Sequence, residues 1–429
     1  MNESTITRIR ARRVWDSRGR PTVEADVELA AGAMGRAIAP AGASRGTREA
    51  VELRDGGTRF GGMDVLGAIE QVNTLIAKAL QGRDAYDQAG ADAALIALDA
   101  TSDKSRLGGN AMVAVSLAIA HAAAAAARLP LWQYLAGGAA VSLPLPQVQV
   151  FGGGAHAGRR IDIQDLMVVP VGAWTFSDAL TIAADVYRAA GELMRDAGKL
   201  AGVADEGGWW PQFASNEDAL EMLVRAIERA GLRPGDDAAI ALDIAASEFG
   251  RDGRYTLALD NRTLDRDALA DLMLRWIERY PIVSIEDPFA EDDRVAWIAF
   301  ARAAPARLQI VGDDYIVTCA ALVDAAALDH ACNAALIKVN QAGTLTEAHA
   351  ALTAAQKAGF GTIVSARSGE SEDVSIAHLA VGWNAGQLKV GAFARSERMA
   401  KWNEVLRIEE AAAGKAAFAG AAVLPAGRA

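Results

Sequence analysis

The chain has 429 residues, a formal net charge of −11 and a sequence pI near 5.1, with 52% hydrophobic and 23% charged residues. That length is too great for one core and suits a barrel of ordinary size plus a smaller domain. The acidic balance and the lack of a basic stripe argue against a nucleic-acid partner.

Met1–Arg13 is polar and basic with no apolar stretch of the signal-peptide kind, so a cytoplasmic location is expected. Residues Ile6–Val14 and Thr22–Ala30 are predicted strands, with turn chemistry at Asp16-Ser17-Arg18-Gly19 between them. Arg36–Ala39 reads as a third strand. It runs into Pro40–Gly46, a small, flexible loop that is either a connector or a lid closing over a ligand. From Val65 to Leu135 the pattern is helical, with breaks near Gly82-Arg83-Asp84 and Gly108-Gly109-Asn110. Its longest apolar stretch, Met112–Ala127, is dominated by alanine, interrupted by His121 and closed by Arg128. It reads as a packed helix and not a membrane span, so no membrane partner is expected. Residues 1–137 are thus read as an α+β domain. The proline-marked stretch Gly137–Pro146 leads into a second domain, 138–429, and the alanine- and glycine-rich tail after Glu410 is expected to fray in part.

The second domain opens on Gly152-Gly153-Gly154-Ala155-His156-Ala157-Gly158. Of five histidines, only His156 sits in a glycine-rich loop, which makes it the functional candidate. Asp162–Val169 reads as a strand carrying a buried acid. Asp205-Glu206-Gly207-Gly208, taken alone, reads as an exposed turn. Then a pattern repeats: a short aliphatic run ends in a charged residue. Ala239–Leu242 ends at Asp243, Ile282–Ile285 at Glu286, Leu308–Gly312 at Asp313, and Ala335–Ile337 at Lys338. Gly361–Ser365 leads to Arg367 and Ser368, and Gly386–Leu388 to Lys389. The charged ends are 43, 27, 25, 29 and 22 residues apart, about one strand plus one helix per step. One such charge is most simply a surface residue at a strand end. Six in register predict convergence at the carboxyl-end mouth of one βα barrel. Cys319 and Cys332 have no metal-ligand spacing and read as reduced thiols.

Asp243, Glu286 and Asp313 offer three hard oxygen ligands, which suits Mg²⁺ and not zinc. Lys338 and Lys389 facing such a cation are expected to have lowered pKa values. A lysine so depressed removes a proton α to a carboxylate, and the charge that develops is absorbed by the metal. The pairing of a lysine base with Mg²⁺ is known chemistry and not a deduction from spacing. Arg367 and Ser368 suit a phosphate.

Over nearly its full length the chain resembles the enolase (phosphopyruvate hydratase) family. The matching stretches include Asp16-Ser17-Arg18-Gly19, Asp205-Glu206-Gly207-Gly208, Ser284-Ile285-Glu286-Asp287-Pro288-Phe289, Val311-Gly312-Asp313-Asp314 and Arg367-Ser368-Gly369-Glu370. The resemblance implies a modified (β/α)8 barrel with an N-terminal α+β domain, two Mg²⁺ ions, a small phosphorylated carboxylic acid substrate and a homodimer in which the Asp16–Glu24 region takes part. By position, Asp243, Glu286 and Asp313 resemble the ligands of the first metal, and Ser44 that of the second. Lys338 is similar to the base at C2 of 2-phosphoglycerate, and Glu206 to the acid for the C3 hydroxyl. Lys389 resembles the carboxylate partner, Arg367 with Ser368 the phosphate partners, and His156 the histidine of the closing loop. Departures fall at Asp165 and Ala366, where the family usually has Glu and His, and at Arg45, Arg159 and Arg160 in the loops. Asp165 and Ala366 map to the end of the site that holds the leaving hydroxyl, where a hole is expected; either the three arginines put positive charge beside it, or they point to solvent and the hole merely holds water. Two alternatives follow: a paralogue acting on a 2-phospho acid altered near C3, of the carboxyphosphonoenolpyruvate synthase kind, or a non-catalytic binding protein derived from an enolase.

Overall fold

The computed structural model describes residues 2–43 and 46–425. Apolar–acidic alternation makes Pro21–Leu29 (β2) a central strand, with Ile6–Trp15 (β1) and Met34–Ile38 (β3) antiparallel on either side. Val23, Ala25 and Val27 turn inward and are wholly buried. Their neighbours Glu24 and Asp26 point outward and pair with Arg12. Helix Gln88–Asp99 (α1), the alanine-rich helix Gly109–Ala126 (α2) and Leu131–Ala136 (α3) complete this unit. Gly35 lets α2 lie against the sheet, since a Cβ there would come within 2.0 Å of the Ala118 carbonyl oxygen. Helix α2 is long and apolar enough to cross a membrane, but 83% of it is buried inside the protein, against β2, β3 and neighbouring helices. It is a core helix.

Eight strands then close a barrel in chain order: Leu145–Gly152 (β4), Asp165–Val169 (β5), Ala239–Asp243 (β6), Ile282–Glu286 (β7), Gln309–Gly312 (β8), Ala334–Ile337 (β9), Gly361–Ser365 (β10) and Gly386–Ala392 (β11). Every neighbouring pair is parallel except the two that β5 makes, with β4 and β6. The fold is a modified (β/α)8 barrel preceded by an N-terminal α+β domain. The sequence writes the starts of its outer helices plainly. Thr175, Ser215, Asp265, Asp293 and Thr344 each accept a backbone N–H in the first turn of the helix that follows.

Inside the barrel, Gln147, Gln309 and Gln387 form a buried amide chain, with Ser284 accepting from Gln309. The opposite end from the mouth is stopped by the C-terminal segment. Ala417–Phe418 pairs with Ser142–Leu143, and Phe418, Val423 and Leu424 pack on Leu145, Met167 and Val169. The described part of the tail, to residue 425, is held by this apolar plug.

Candidate active site

Register explains how the acids meet. Asp165 opens β5 opposite Asp243, the last residue of β6, and Asp243 lies level with Glu286 at the end of β7. Adjacent strands are about 4.8 Å apart, so three carboxylates stand side by side. Lys389, from β11, reaches them across the mouth: its Nζ is 2.9 Å from Asp243, 2.9 Å from Glu286 and 3.2 Å from Asp165. Lys338, following β9, pairs with Asp313 beyond β8. All of these side chains are buried.

Five acids, Asp165, Glu206, Asp243, Glu286 and Asp313, thus share the mouth with two lysines. Charge crowding shifts Glu286, Glu206 and the two lysines. Burial, with Asp243 and Asp313 nearby, pushes the Glu286 carboxyl well above its ordinary value. Burial alone would lower the lysines, but the carboxylates outweigh it. Asp313 raises Lys338, and Asp243, Glu286 and Asp165 raise Lys389 well above the usual range. The lowering expected for both lysines is what a bound cation would impose; the groups nearest each ammonium here are carboxylates. Glu206 is held below its ordinary value, since His156, Arg398 and the two lysines together outweigh its burial.

At the Arg367–Ser368 side of the mouth, the Arg367 guanidinium is bonded to both oxygens of Glu49, at 3.0 and 3.1 Å, and to Asn340 at 3.1 Å. The Ser368 hydroxyl accepts the Ala43 N–H at 3.2 Å. Ala41 and Gly369 exchange backbone hydrogen bonds, so the described part of the Pro40–Gly46 loop rests on the Arg367–Glu370 loop. Ser44 and Arg45 lie outside the described residues.

At the other end, His156 Nε2 is 3.9 Å from Asp165 and 3.8 Å from Glu206. Glu206 is not on an exposed turn. Gly207, at φ +92°, has no room for a Cβ, which would lie 2.8 Å from the Ala394 carbonyl oxygen, and the tight bend turns Glu206 inward. Gln149 bridges Asp165 and the Gly208 N–H. Ala366 lines the same cavity, which at about 20 Å³ holds roughly one water. Of the two readings of this end, the described arginines fit the one in which they face solvent and the hole holds water. Arg159 points outward to Glu248 at 2.6 Å, and Arg160 is exposed.

Residues 6–135 match the family model described as "Enolase, N-terminal domain", and residues 140–426 match "Enolase, C-terminal TIM barrel domain". The chain belongs to the enolase family. That membership supports a lyase-type enzyme acting on a small phosphorylated acid, and enolases typically bind Mg²⁺. This enolase-family mouth fits a hard cation. Its donors are carboxylates in excess of the lysines, and Gln164 Oε1 is buried there with no hydrogen-bond partner among the described residues. His156–Asp165–Glu206 and Asp287–Asp313–Asp314 are two trios compact enough to hold an ion. In the second, Asp287 accepts the N–H groups of Asp313 and Asp314 at 2.8 and 2.9 Å and acts as a clamp on their turn. Asp243 and Glu286 share Lys389, Asp313 pairs separately with Lys338, and these three expected ligands are not one of the compact groups among the described residues. Glu49 went unnoticed in the sequence, and Asn340-Gln341 was legible there only as a stretch that matches the family, with no role assigned. Gln341 donates to Asp313 at 2.9 Å and accepts from Thr318 at 2.7 Å.

Proposed function

We propose that this protein is a Mg²⁺-dependent hydro-lyase that removes the C2 proton of 2-phosphoglycerate and expels its C3 hydroxyl as water, giving phosphoenolpyruvate. The observation that carries the reading is a single barrel mouth where acids, two lysines and an Arg–Ser pair converge, with Glu206 facing His156 at the far end. Asp243, Glu286 and Asp313 would hold the first Mg²⁺, with Ser44 assigned to a second. Bound there, Mg²⁺ supplies positive charge beside the substrate carboxylate. Lys389 orients that carboxylate, and Arg367 with Ser368 orients the phosphate.

Lys338 takes the C2 proton. The electron pair left on C2 forms the C2–C3 double bond, the C3–O bond breaks, and Glu206 supplies the proton that makes the leaving group water. Lys338 accepts a proton only once Asp313 is engaged by another cation, because that carboxylate otherwise keeps the ammonium charged. Glu206 needs the opposite change. The substrate's phosphate and carboxylate bring negative charge into the mouth and raise its pKa toward the protonated form. Since the cavity holds about one water, substrate entry requires the lysines to let go of the carboxylates and the loops to part.

Ala366 and Asp165 keep a second reading open, a 2-phospho acid altered near C3. Arg159, paired with Glu248, gives that reading no cation. The deciding experiment is steady-state dehydration of 2-phosphoglycerate by purified protein with Mg²⁺. A rate near an ordinary ~10 s⁻¹ supports the first reading. A rate far below that, raised by Asp165→Glu combined with Ala366→His, supports the second. No turnover of either kind of substrate refutes both. The same reading places the protein in the cytoplasm, in glycolysis, as a homodimer.

A further inference from the structure

Helix Ser396–Ala412 (α11) carries two cations with no exposure to solvent, Arg398 and Lys401. Three residues apart, they share one face of the helix. Burying a charge is costly unless it is bonded, so their partners define what they do.

Arg398 donates to the carbonyl oxygens of Arg367 at 2.7 Å, Ser368 at 2.5 Å and Val390 at 3.2 Å. It also lies 3.9 Å from Glu206 and 3.5 Å from Glu397. Lys401 donates to the Ser371 carbonyl at 2.7 Å and sits 3.0 Å from Glu370, whose other oxygen accepts the Arg367 N–H at 2.9 Å. The two cations therefore hold three carbonyls of the Arg367–Ser371 loop on the α11 side. A phosphate is repelled by carbonyl oxygens. With these drawn away, the loop offers the mouth the Arg367 guanidinium and the Ser368 hydroxyl.

We propose that Arg398 and Lys401 are positioning residues. Lys401 sets the phosphate-binding loop, and Arg398 sets both that loop and Glu206, fixing the spacing between the phosphate end and the leaving-group end. The proposal rests on the reading that this mouth takes a 2-phospho acid.

The test uses the full-length protein with Mg²⁺ and three readouts: KM and kcat for 2-phosphoglycerate, exchange of its C2 proton in D₂O, and calorimetric binding of inorganic phosphate. Lys401→Met is expected to weaken phosphate binding and raise KM roughly tenfold, the scale of lost outer-shell partners. Its ratio of exchange to elimination should stay at the wild-type value. Arg398→Lys is expected to raise KM similarly and also to slow elimination relative to exchange by roughly tenfold, because Glu206 loses its neighbour. Circular dichroism and cooperative thermal unfolding verify that each variant folds. If the methionine variant does not, Lys401→Arg, which keeps the charge but shifts the donors, reads the same effect. Folded variants with wild-type phosphate affinity and wild-type exchange ratio overturn the proposal. So do variants whose readouts fall uniformly, as general loosening alone would give. If the wild-type protein leaves 2-phosphoglycerate unchanged, the functional reading fails while the phosphate arm still decides the role of the two cations. Wild-type protein that binds no phosphate overturns both.

Discussion

Replacing Glu49 by glutamine separates the stability of the phosphate loop from its affinity. Both Glu49 oxygens bond the Arg367 guanidinium, both residues are buried, and Glu49 also accepts from the Gly46 N–H at 3.0 Å and from Gln341 at 3.3 Å. Glutamine keeps the shape and one acceptor oxygen but removes the carboxylate charge that both guanidinium bonds rest on. Removing one partner of a buried pair costs about 3–5 kcal/mol. With packing preserved, the lower end applies, about 3 kcal/mol. Phosphate then becomes the missing counter-charge. If half of that loss returns on binding, affinity rises about tenfold. Urea unfolding with and without inorganic phosphate reads both effects: a lower midpoint for the free variant, and a larger phosphate-induced rise than in wild type. A variant with the wild-type midpoint and weaker phosphate binding would refute the exchange of Glu49 for phosphate at Arg367.

Chelation by EDTA should abolish turnover, and Asp313→Asn should weaken Mg²⁺ binding in calorimetry; full activity after exhaustive chelation contradicts the metal assignment. Lys338→Ala should stop exchange of the C2 proton with D₂O, whereas Glu206→Gln should retain exchange and lose elimination; exchange surviving in the lysine variant moves the base elsewhere. Burial pushes the Cys332 thiol up to about 12, so in native protein near pH 8 a thiol reagent should modify Cys319 and spare Cys332. Modification of both before unfolding counts against that burial. The bond to His378 holds the Glu404 carboxyl down to about 2, from 4.5 in an unfolded chain. Its contribution to stability is therefore complete above about pH 4.5 and lost as pH falls toward 2. Wild type should lose its advantage over Glu404→Gln across that window, and a gap that stays constant from pH 6 to pH 2 rules the linkage out.

The strand-end charges were legible because each follows an aliphatic run, and parallel register then levels Asp243 with Glu286 without further information. Glu206 was legible only by resemblance. The local pattern reads as an exposed turn, and what buries it is the positive φ of Gly207 pressed against Ala394. Glu49 was invisible because its partner Arg367 is 318 residues away and no local pattern marks a loop acid as one half of a buried pair. The expected lowering of the lysine pKa values depends on a bound cation; what the fold adds is that their nearest neighbours are Asp313, Asp243 and Glu286. The seat of the tail was not legible, since alanine and glycine content says nothing of the apolar plug that Phe418, Val423 and Leu424 form with Leu145 and Met167.

The reversed direction of β5 decides how the His156 loop can move. In an ordinary βα unit the mouth loop leaves one strand and runs off into a helix, so its far end can swing with that helix. Here the loop departs from Gly152 and returns to Asp165, which pair with each other across the β4–β5 ladder. It is a flap sewn to the barrel rim at both ends. Opening it for substrate pulls on the residue that lies beside Lys389, so access to the site and the charge pattern inside it are mechanically one event.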